Sequence, residues 1–226
     1  MRFACAAIAA IVAACIATAA AAVSPNVRIS QVYGGGSNAN AVYDVDFVEL
    51  FNFSAYPVAI GGWSLQYGSA TGTTGLGVCE DCTVVLPPGA VIESCGYYLV
   101  AMEPGPVGAP LPVAADATGA MNLSGASGKL GLVRNGAPLG ACAGALLVDL
   151  VGYGTANCQE YQNAGGLSPT TAAVRRDGGL IDTDNNSLDF DVSAPAPRGR
   201  ASPFNGRCLI VDESSLSWGA LKATYR

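Results

Sequence analysis

The clearest hydrophobic pattern in the chain is DVDFVELFNFSAYPVAIGGWSLQY, residues 44–67. In its first half, Phe47 and Phe51 fall on one side of an extended segment. Val48 and Leu50 fall on the other side. A strand that is apolar on both faces is buried on both faces. The pattern therefore predicts a central strand that is covered on its two sides.

After a turn, residues 58–60 predict a short strand, and a strand with a large aromatic side chain follows it. The pair Gly61-Gly62 permits a tight bend before this strand, because glycine adopts backbone angles that other residues avoid. Beyond the bend, Trp63, Leu65 and Tyr67 share one face of the strand. A tryptophan at the start of such a strand is typical of a β-sandwich core.

The rest of the chain repeats this pattern of strand and turn. Further strands are predicted at residues 27–33, 83–86, 90–92, 96–102, 120–123, 129–134, 146–153, 171–175 and 188–192. No window before the C-terminal tail sustains the 3.6-residue period of a helix. The chain is therefore predicted to be an all-β sandwich of about eight to ten strands. Six side chains are expected in its core: Phe47, Leu50, Trp63, Leu65, Tyr98 and Val151.

Short motifs occur in a fixed order along these strands. They are VRISQVYGGG at 27–36, DFVELFN at 46–52, V-x-IGGWSLQY at 58–67, GYYLV at 96–100, MNLSG at 121–125, VDLVGYG at 148–154 and DTDNN at 182–186. Together they resemble the lamin tail domain family, in the form found in secreted bacterial proteins. The resemblance extends over roughly residues 27–199 and implies an immunoglobulin-like β-sandwich. It also implies an accessory or surface role, because such domains commonly accompany secreted enzymes and surface proteins.

The charge of the chain argues against nucleic acid as a partner. The 226 residues carry a formal net charge of −6, and only 12% of them are charged. No basic cluster is present, whereas binding to nucleic acid depends on Lys and Arg side chains that neutralise phosphates.

The absence of histidine excludes several kinds of enzyme. Ser-His-Asp and Cys-His nucleophilic systems and ordinary catalytic zinc sites all need histidine. Of the two lysines, Lys129 and Lys222, Lys129 is expected to be a solvated charge beside a strand. We therefore predict no catalytic residues and no enzymatic activity. A carboxylate-based hydrolase is the weaker alternative, because nothing in the sequence places two carboxylates across a cleft.

The N-terminus predicts export. Arg2, an apolar stretch and a run of small residues indicate a signal peptide over residues 1–22, followed by a lamin-tail-like sandwich over 23–199. We expect a secreted, extracellular or cell-envelope protein with no transmembrane span in its mature chain. Cys15 lies in a sequence that resembles a bacterial lipobox, so a lipid anchor at Cys15 is one alternative. The other is an ordinary secretion signal in which Cys15 is one more apolar residue.

Residues 200–226 are expected to form a short C-terminal extension. Their last ten residues, SWGALKATYR, contain two aromatic and two cationic side chains. Two hypotheses stay open for this extension. One is a sorting or anchoring tail, and the other is a terminal strand or helical turn that places Trp218 on the sandwich.

The cysteines predict disulfide bonds. Six remain beyond the signal peptide, and an even number of cysteines in an exported chain indicates disulfide bonds. Cys142 and Cys158 flank one predicted strand and are the first expected pair. The pairing among Cys79, Cys82, Cys95 and Cys208 is left open.

The run DTDNNSLD at residues 182–189 is the best candidate for a metal site. Oxygen ligands from Asp182, Asp184, Asn186 and Asp189 could surround Ca²⁺, which prefers six to eight of them. The run lacks the glycine and the glutamate of an EF-hand loop. The alternative is a turn in which Asp and Asn side chains cap their own backbone, with no cofactor.

The leading functional hypothesis is an exported, non-catalytic interaction, adhesion or surface-structural module with an unknown protein or cell-surface partner. Exposed loops at the ends of a sandwich carry recognition in other immunoglobulin-like folds. The candidates here are residues 34–44 and residues 68–82. Residues 34–40 of the first loop are expected to be exposed and to pack against nothing. The alternative is a calcium-dependent binder, with carbohydrate as one ligand class, that uses the Asp182–Asp189 run.

Overall fold

The computed structural model describes residues 26–208, which form twelve strands and two single helical turns. The predicted signal peptide, the anchor candidate Cys15 and the C-terminal residues 209–226 lie outside this range. The strands are β1 Val27–Tyr33, β2 Phe47–Asn52, β3 Val58–Ala59, β4 Ser64–Ser69, β5 Thr83–Val85, β6 Val91–Ile92, β7 Tyr97–Ala101, β8 Ala117–Thr118, β9 Gly128–Val133, β10 Leu147–Tyr153, β11 Ala172–Arg175 and β12 Phe190–Ser193. A 3-10 turn spans Arg176–Gly179, and a one-turn helix, α1, spans Asn186–Asp189.

Two large sheets form the predicted sandwich, which confirms the all-β fold class. The first sheet has the order β12-β11-β1-β2-β7-β8, and the second has the order β10-β9-β4-β5. Strands β3 and β6 form a separate pair. Neighbours run antiparallel except β7 and β8. Three of the twelve strands, β3, β6 and β8, have two residues each. The first two lie within the predicted strands at 58–60 and 90–92, whereas β8 has no predicted counterpart, because two residues are too few to give a clear alternation.

Strand β2 is buried along its whole length, as its doubly apolar pattern predicts. Val48 and Leu50 face the second sheet and belong to the main core. Phe47 and Phe51 face the opposite way and lie in two smaller clusters. The first sheet is therefore covered on both faces, by the second sheet on one side and by loops and the C-terminal segment on the other.

The six residues expected in the core lie in or against these clusters. Five of them are buried, namely Phe47, Leu50, Leu65, Tyr98 and Val151. Trp63 is half-buried and packs against the main core from its edge. The Arg134 guanidinium lies over its ring at 5.9 Å from the centroid. The tryptophan thus closes an edge of the core and does not fill its centre.

One predicted strand is wrong. Residues 120–123 have no strand neighbour, and β9 pairs with β4 and β10 instead. The backbone N–H of Leu123 donates to the Asp46 carboxylate at 2.9 Å. A side-chain acceptor therefore takes the place of a sheet partner in this segment.

The expectation that the loop after β1 packs nothing is also wrong in its first half. Gly34 and Gly35 are buried, and only the tip at residues 38–40 is exposed. A Cβ atom on Gly34 would collide with the Ser124 carbonyl oxygen. The glycines of this loop therefore allow close backbone packing across the end of the sandwich.

Disulfide bonds are present, as the cysteine count predicts. The structure pairs Cys142 with Cys158, Cys79 with Cys82 and Cys95 with Cys208. The Cys95–Cys208 bond joins residues 113 positions apart and ties the end of the described chain to the start of β7. It closes the longest loop of the three and constrains the unfolded chain most. No helix within residues 26–208 has the length and apolar character needed to cross a membrane.

Candidate functional site

The loop before β12, with the DTDNNSLD run, is held by its own side chains. The Asp189 carboxylate accepts hydrogen bonds from the Thr183 N–H at 2.9 Å, the Thr183 hydroxyl at 2.8 Å and the Asn185 N–H at 3.3 Å. Asn185 caps α1 by accepting from the Ser187 N–H at 3.1 Å. These bonds are the Asx-type turn chemistry that short Asp and Asn side chains favour.

Behind this loop lies a fully buried arginine, Arg175, at the end of β11. Its Nη1 donates to Asp182 at 3.0 Å, and its Nη2 donates to Asp149 at 3.0 Å. Its Nε donates to the Ile29 carbonyl at 2.8 Å. Burial disfavours the charged guanidinium, but the Asp149 and Asp182 carboxylates outweigh this effect and raise the pKa of Arg175. The arginine is therefore a permanent cation in the core.

Asp149 joins the two sheets at this point. It lies on β10 beside a register shift, while Arg175 and Ile29 belong to the first sheet. Besides Arg175, its carboxylate accepts from the Ile29 N–H at 2.6 Å. Because hydrogen bonds to a charged carboxylate are the stronger kind, this bridge fixes how the sheets sit on each other.

Arg28 is the second cation of the cluster. Its Nη1 donates to the Leu180 carbonyl at 3.0 Å, and its guanidinium lies 3.7 Å from the centroid of the Phe53 ring. Its Nε is 3.6 Å from Asp182 Oδ2, longer than a hydrogen bond, and has no other partner among the described residues. Burial lowers the pKa of Arg28, while the Asp182 carboxylate opposes that change.

Asn186, one of the four predicted calcium ligands, is committed elsewhere. Its amide accepts from the Gly152 N–H at 2.8 Å and donates to the Leu150 carbonyl at 3.0 Å. These backbone groups lie on β10, the edge strand of the second sheet. The buried amide therefore pairs with the sheet edge as a neighbouring strand would. Asp184, another predicted ligand, is half-buried and adopts a left-handed backbone with φ 54°.

Glu160 completes the cluster, although no sequence motif marks it. It is 5% exposed, and its Oε2 accepts from the Asn186 amide at 2.9 Å. Its Oε1 is buried and has no hydrogen-bond partner among the described residues. One oxygen each from Glu160, Asp182 and Asp189 lies within 4.8 Å of the others. Burial, followed by the nearby Asp149 carboxylate, raises the pKa of Glu160 well above its usual range.

A polar pocket of about 490 Å³ opens at the other end of the first sheet. The loop after β1 lines one side of it with Ser37 and Asn38. Glu103 and Asn122, both exposed, come from two other loops. Asp46 lies at its base. The pocket thus brings part of the predicted recognition loop together with residues that are distant in the sequence.

Asp46 holds the walls of this pocket in place. It is 7% exposed, and its two oxygens accept from the Gly36 N–H at 2.8 Å and the Leu123 N–H at 2.9 Å. Burial raises the pKa of Asp46 to about 6, while these two donors act in the opposite direction. Its charge is therefore sensitive to mildly acidic pH.

The other predicted recognition loop, residues 68–82, is tied down at two points. Lys129 on β9 is buried, and its Nζ donates to the Gly72 carbonyl at 2.6 Å and to the Asn157 amide oxygen at 2.7 Å. The expectation that Lys129 is a solvated charge is therefore wrong, because the loop folds over it. The Cys79–Cys82 bond closes the second half of the loop.

The outer face of the first sheet carries a further buried carboxylate, Glu49. Arg198 Nη2 donates to it at 2.7 Å, and the Ser30 hydroxyl donates at 2.5 Å. The Arg198 guanidinium also lies over the Tyr97 ring at 3.8 Å. Burial raises the pKa of Glu49, and Arg198 opposes this change. The pair fastens the C-terminal segment across the sheet.

Comparisons with known proteins agree with this architecture. The sequence profile of the Lamin Tail Domain matches residues 20–155. A solved structure that resembles the chain is a DUF4876 family protein from Bacteroides thetaiotaomicron VPI-5482, with a TM-score of 0.53 and 12% identity. The match covers 82% of this chain and 75% of that protein, and at this identity it shows a shared fold. No curated protein matches the chain significantly. Neither the family's description nor that of the structural relative names a reaction.

Proposed function

The chain belongs to the lamin tail domain family, and from this premise we propose that it is an exported, non-catalytic module that binds a protein or cell-surface partner. The observation that carries the proposal is the polar pocket at the end of the sandwich. It is concave and lined by loops on a rigid scaffold, which is the usual position of recognition residues in sandwich folds.

The burial and pairing of the charged groups support a role without catalysis. Asp149, Asp182 and Asp189 are bonded to Arg175 or to their own loop and lie out of contact with solvent or nearly so. Glu49 is likewise engaged by Arg198. A general acid or base must reach a substrate, and these groups are covered. With no histidine in the chain, no other nucleophilic system is suggested by the described residues.

The disulfide bonds support export. Three pairs in one chain are typical of proteins that fold in an oxidising compartment, because cytosolic thiols are kept reduced. A secreted, extracellular or envelope location follows from this proposal. It is tested by fractionating the host cells and labelling free thiols, and an intracellular protein with reduced cysteines would contradict it.

The lining of the pocket defines the chemistry of its partner. Asp46 and Glu103 contribute negative charge, and Asn38 and Asn122 contribute amides. Amides and carboxylates recognise hydroxyl-rich or cationic groups through hydrogen bonds. We therefore expect the partner to present sugar hydroxyls or basic side chains to this pocket.

The experiment is capture of surface components by the exported protein, compared between two arginine variants. Asn122→Arg places a bulky cation in the pocket, and Thr73→Arg introduces the same side chain at an exposed position of the 68–82 loop. We expect Asn122→Arg to abolish capture and Thr73→Arg to preserve it. Loss of capture with Thr73→Arg alone would move the binding surface to the other loop, and equal capture by both variants would overturn the proposal.

A calcium-dependent binder is the second candidate, because three carboxylate oxygens converge behind the Asp182–Asp189 run. This candidate predicts that chelation removes capture and that Ca²⁺ restores it. Capture that persists after exhaustive chelation would exclude calcium dependence and leave the pocket proposal intact.

A further inference from the structure

We propose that Glu160, Asp182 and Asp189 bind one Ca²⁺ ion beneath the loop that precedes β12. The role of this ion is to hold the loop and the edge of the second sheet together. The inference concerns cation binding by the fold itself and holds for either candidate function.

The spacing of the carboxylate oxygens suits calcium. The three oxygens lie within 4.8 Å of one another. Ca²⁺ binds oxygen at about 2.3–2.6 Å, so two ligands on opposite sides of the ion are roughly 5 Å apart. The limit of 4.8 Å therefore allows one Ca²⁺ ion to contact all three oxygens. Mg²⁺ demands near-ideal octahedral geometry and usually keeps several waters, so a buried set of carboxylate oxygens suits the larger ion.

An unpartnered buried oxygen points to a ligand in this cluster. Glu160 is 5% exposed, yet its Oε1 makes no hydrogen bond among the described residues. Its other oxygen is held by the Asn186 amide, which fixes the direction of the carboxylate. A buried acceptor without a partner is unfavourable. A cation shared with Asp182 and Asp189 supplies the missing partner.

The charge balance of the cluster also favours a divalent ion. Four carboxylates, those of Asp149, Glu160, Asp182 and Asp189, are gathered around two guanidinium groups. When all are ionised, the cluster has an excess of two negative charges, and a divalent cation removes this excess. Buried charge without a counter-charge is strongly unfavourable.

The arginines leave ligand positions open. Arg175 Nη1 bonds to Asp182 Oδ1 at 3.0 Å, while Asp182 Oδ2 is 3.6 Å from Arg28 Nε. Asp189 accepts from three donors of its own loop, and its Oδ2 lies 3.6 Å from Arg175 Nη1, so one of the about four lone-pair positions of a carboxylate stays open. The resulting ligand set shares Asp182 and Asp189 with the sequence-based candidates. It omits Asp184 and replaces Asn186, which is bonded to β10, by Glu160.

The test is binding of Ca²⁺ to the purified full chain after exhaustive chelation. Equilibrium dialysis with metal analysis is expected to give one ion per chain. Calorimetry is expected to show a rise in Tm of about 5 °C or more at roughly 100 times the Kd. Glu160→Gln keeps the shape of the side chain but removes its charge, and Glu80→Gln makes the same change at an exposed position.

We expect Glu160→Gln to lose the rise in Tm and the bound ion, and Glu80→Gln to keep both. A wild-type chain that binds no ion overturns the proposal, and so does a Glu160→Gln variant with unchanged affinity. Dialysis decides the outcome even where the variant differs in basal stability. Failure here would exclude the calcium-dependent binder and would leave the pocket proposal unaffected, because no partner is present in these measurements.

Discussion

Buried carboxylates are compensated by different groups in two regions near the opposite ends of β1. Near its start, Asp149 and Asp182 are compensated by the Arg175 guanidinium, which comes from the neighbouring strand. Beyond its end, Asp46 is compensated by two backbone N–H groups and borders a pocket. The first region is closed and carries formal ion pairs. The second region is open to solvent on one side, and the hydrogen-bond partners of Asp46 among the described residues include no cation.

The difference separates stability from recognition. A guanidinium among several carboxylates stabilises the contact between the sheets, but it leaves little capacity for a partner molecule. A carboxylate held by backbone N–H groups positions loops and keeps polar neighbours such as Glu103 accessible. We therefore expect substitutions in the first region to affect folding and substitutions in the second to affect binding.

The largest effect is expected from Arg175→Met. The variant leaves Asp149 and Asp182 buried without their cation, and breaking a buried ion pair by removing one partner costs about 3–5 kcal/mol. Chemical denaturation monitored by fluorescence measures this loss. The adjacent Arg176 forms an exposed ion pair with Asp191, so Arg176→Met should cost about 1 kcal/mol or less. Equal losses in the two variants would mean that the closed cluster has no special role.

The second effect concerns pH and Asp46. Its pKa is about 6 in the folded chain, raised by burial from 3.8. Between these values the folded state holds a proton that the unfolded state has released, so stability falls as pH rises from about 4 to about 6. The upper limit of this loss in unfolding free energy is about 3 kcal/mol. The Gly36 and Leu123 N–H groups act against the loss, because they stabilise the ionised carboxylate.

Asp46→Asn removes this titration. The variant should show a flatter dependence of unfolding free energy on pH between about 4 and 6. Its stability should be lower overall, because its amide oxygen cannot accept from both N–H groups. Denaturation curves at several pH values give the slope directly. A slope identical to that of the wild-type chain would show that Asp46 is ionised throughout and that its burial is unimportant.

The smallest effect on stability is expected from Glu103→Gln in the pocket. Its side chain is exposed, and surface substitutions away from buried networks usually change stability by about 0.5 kcal/mol or less. The same change removes one negative charge from the lining, so capture of a cationic partner should weaken. A Glu103→Gln variant that unfolds easily would show that the pocket belongs to the structural core. This result would contradict the expectation that substitutions in the second region affect binding and not folding.

Local patterns in the sequence were sufficient for most strands. Alternation of apolar residues is a property of neighbouring positions, so the double burial of β2 could be predicted from Phe47, Val48, Leu50 and Phe51 alone. The strand predicted at 120–123 is wrong because local patterns do not show the partner of a backbone. Met121 and Leu123 are buried, but the Leu123 N–H bonds to the side chain of Asp46, which no local pattern reveals.

The sequence by itself determined an all-β sandwich, the likeness to lamin tail domains and the disulfide chemistry. It left the Asp182–Asp189 run open between a metal site and a turn. Only the tertiary structure decided which charged groups meet. Arg175 lies 26 positions from Asp149 and 146 positions from Ile29, and Glu160 approaches Asp182 and Asp189 across another loop. Such contacts depend on strand order and register, because a shift of one residue turns a side chain to the opposite face. Spacing along the chain therefore carries no signal for them.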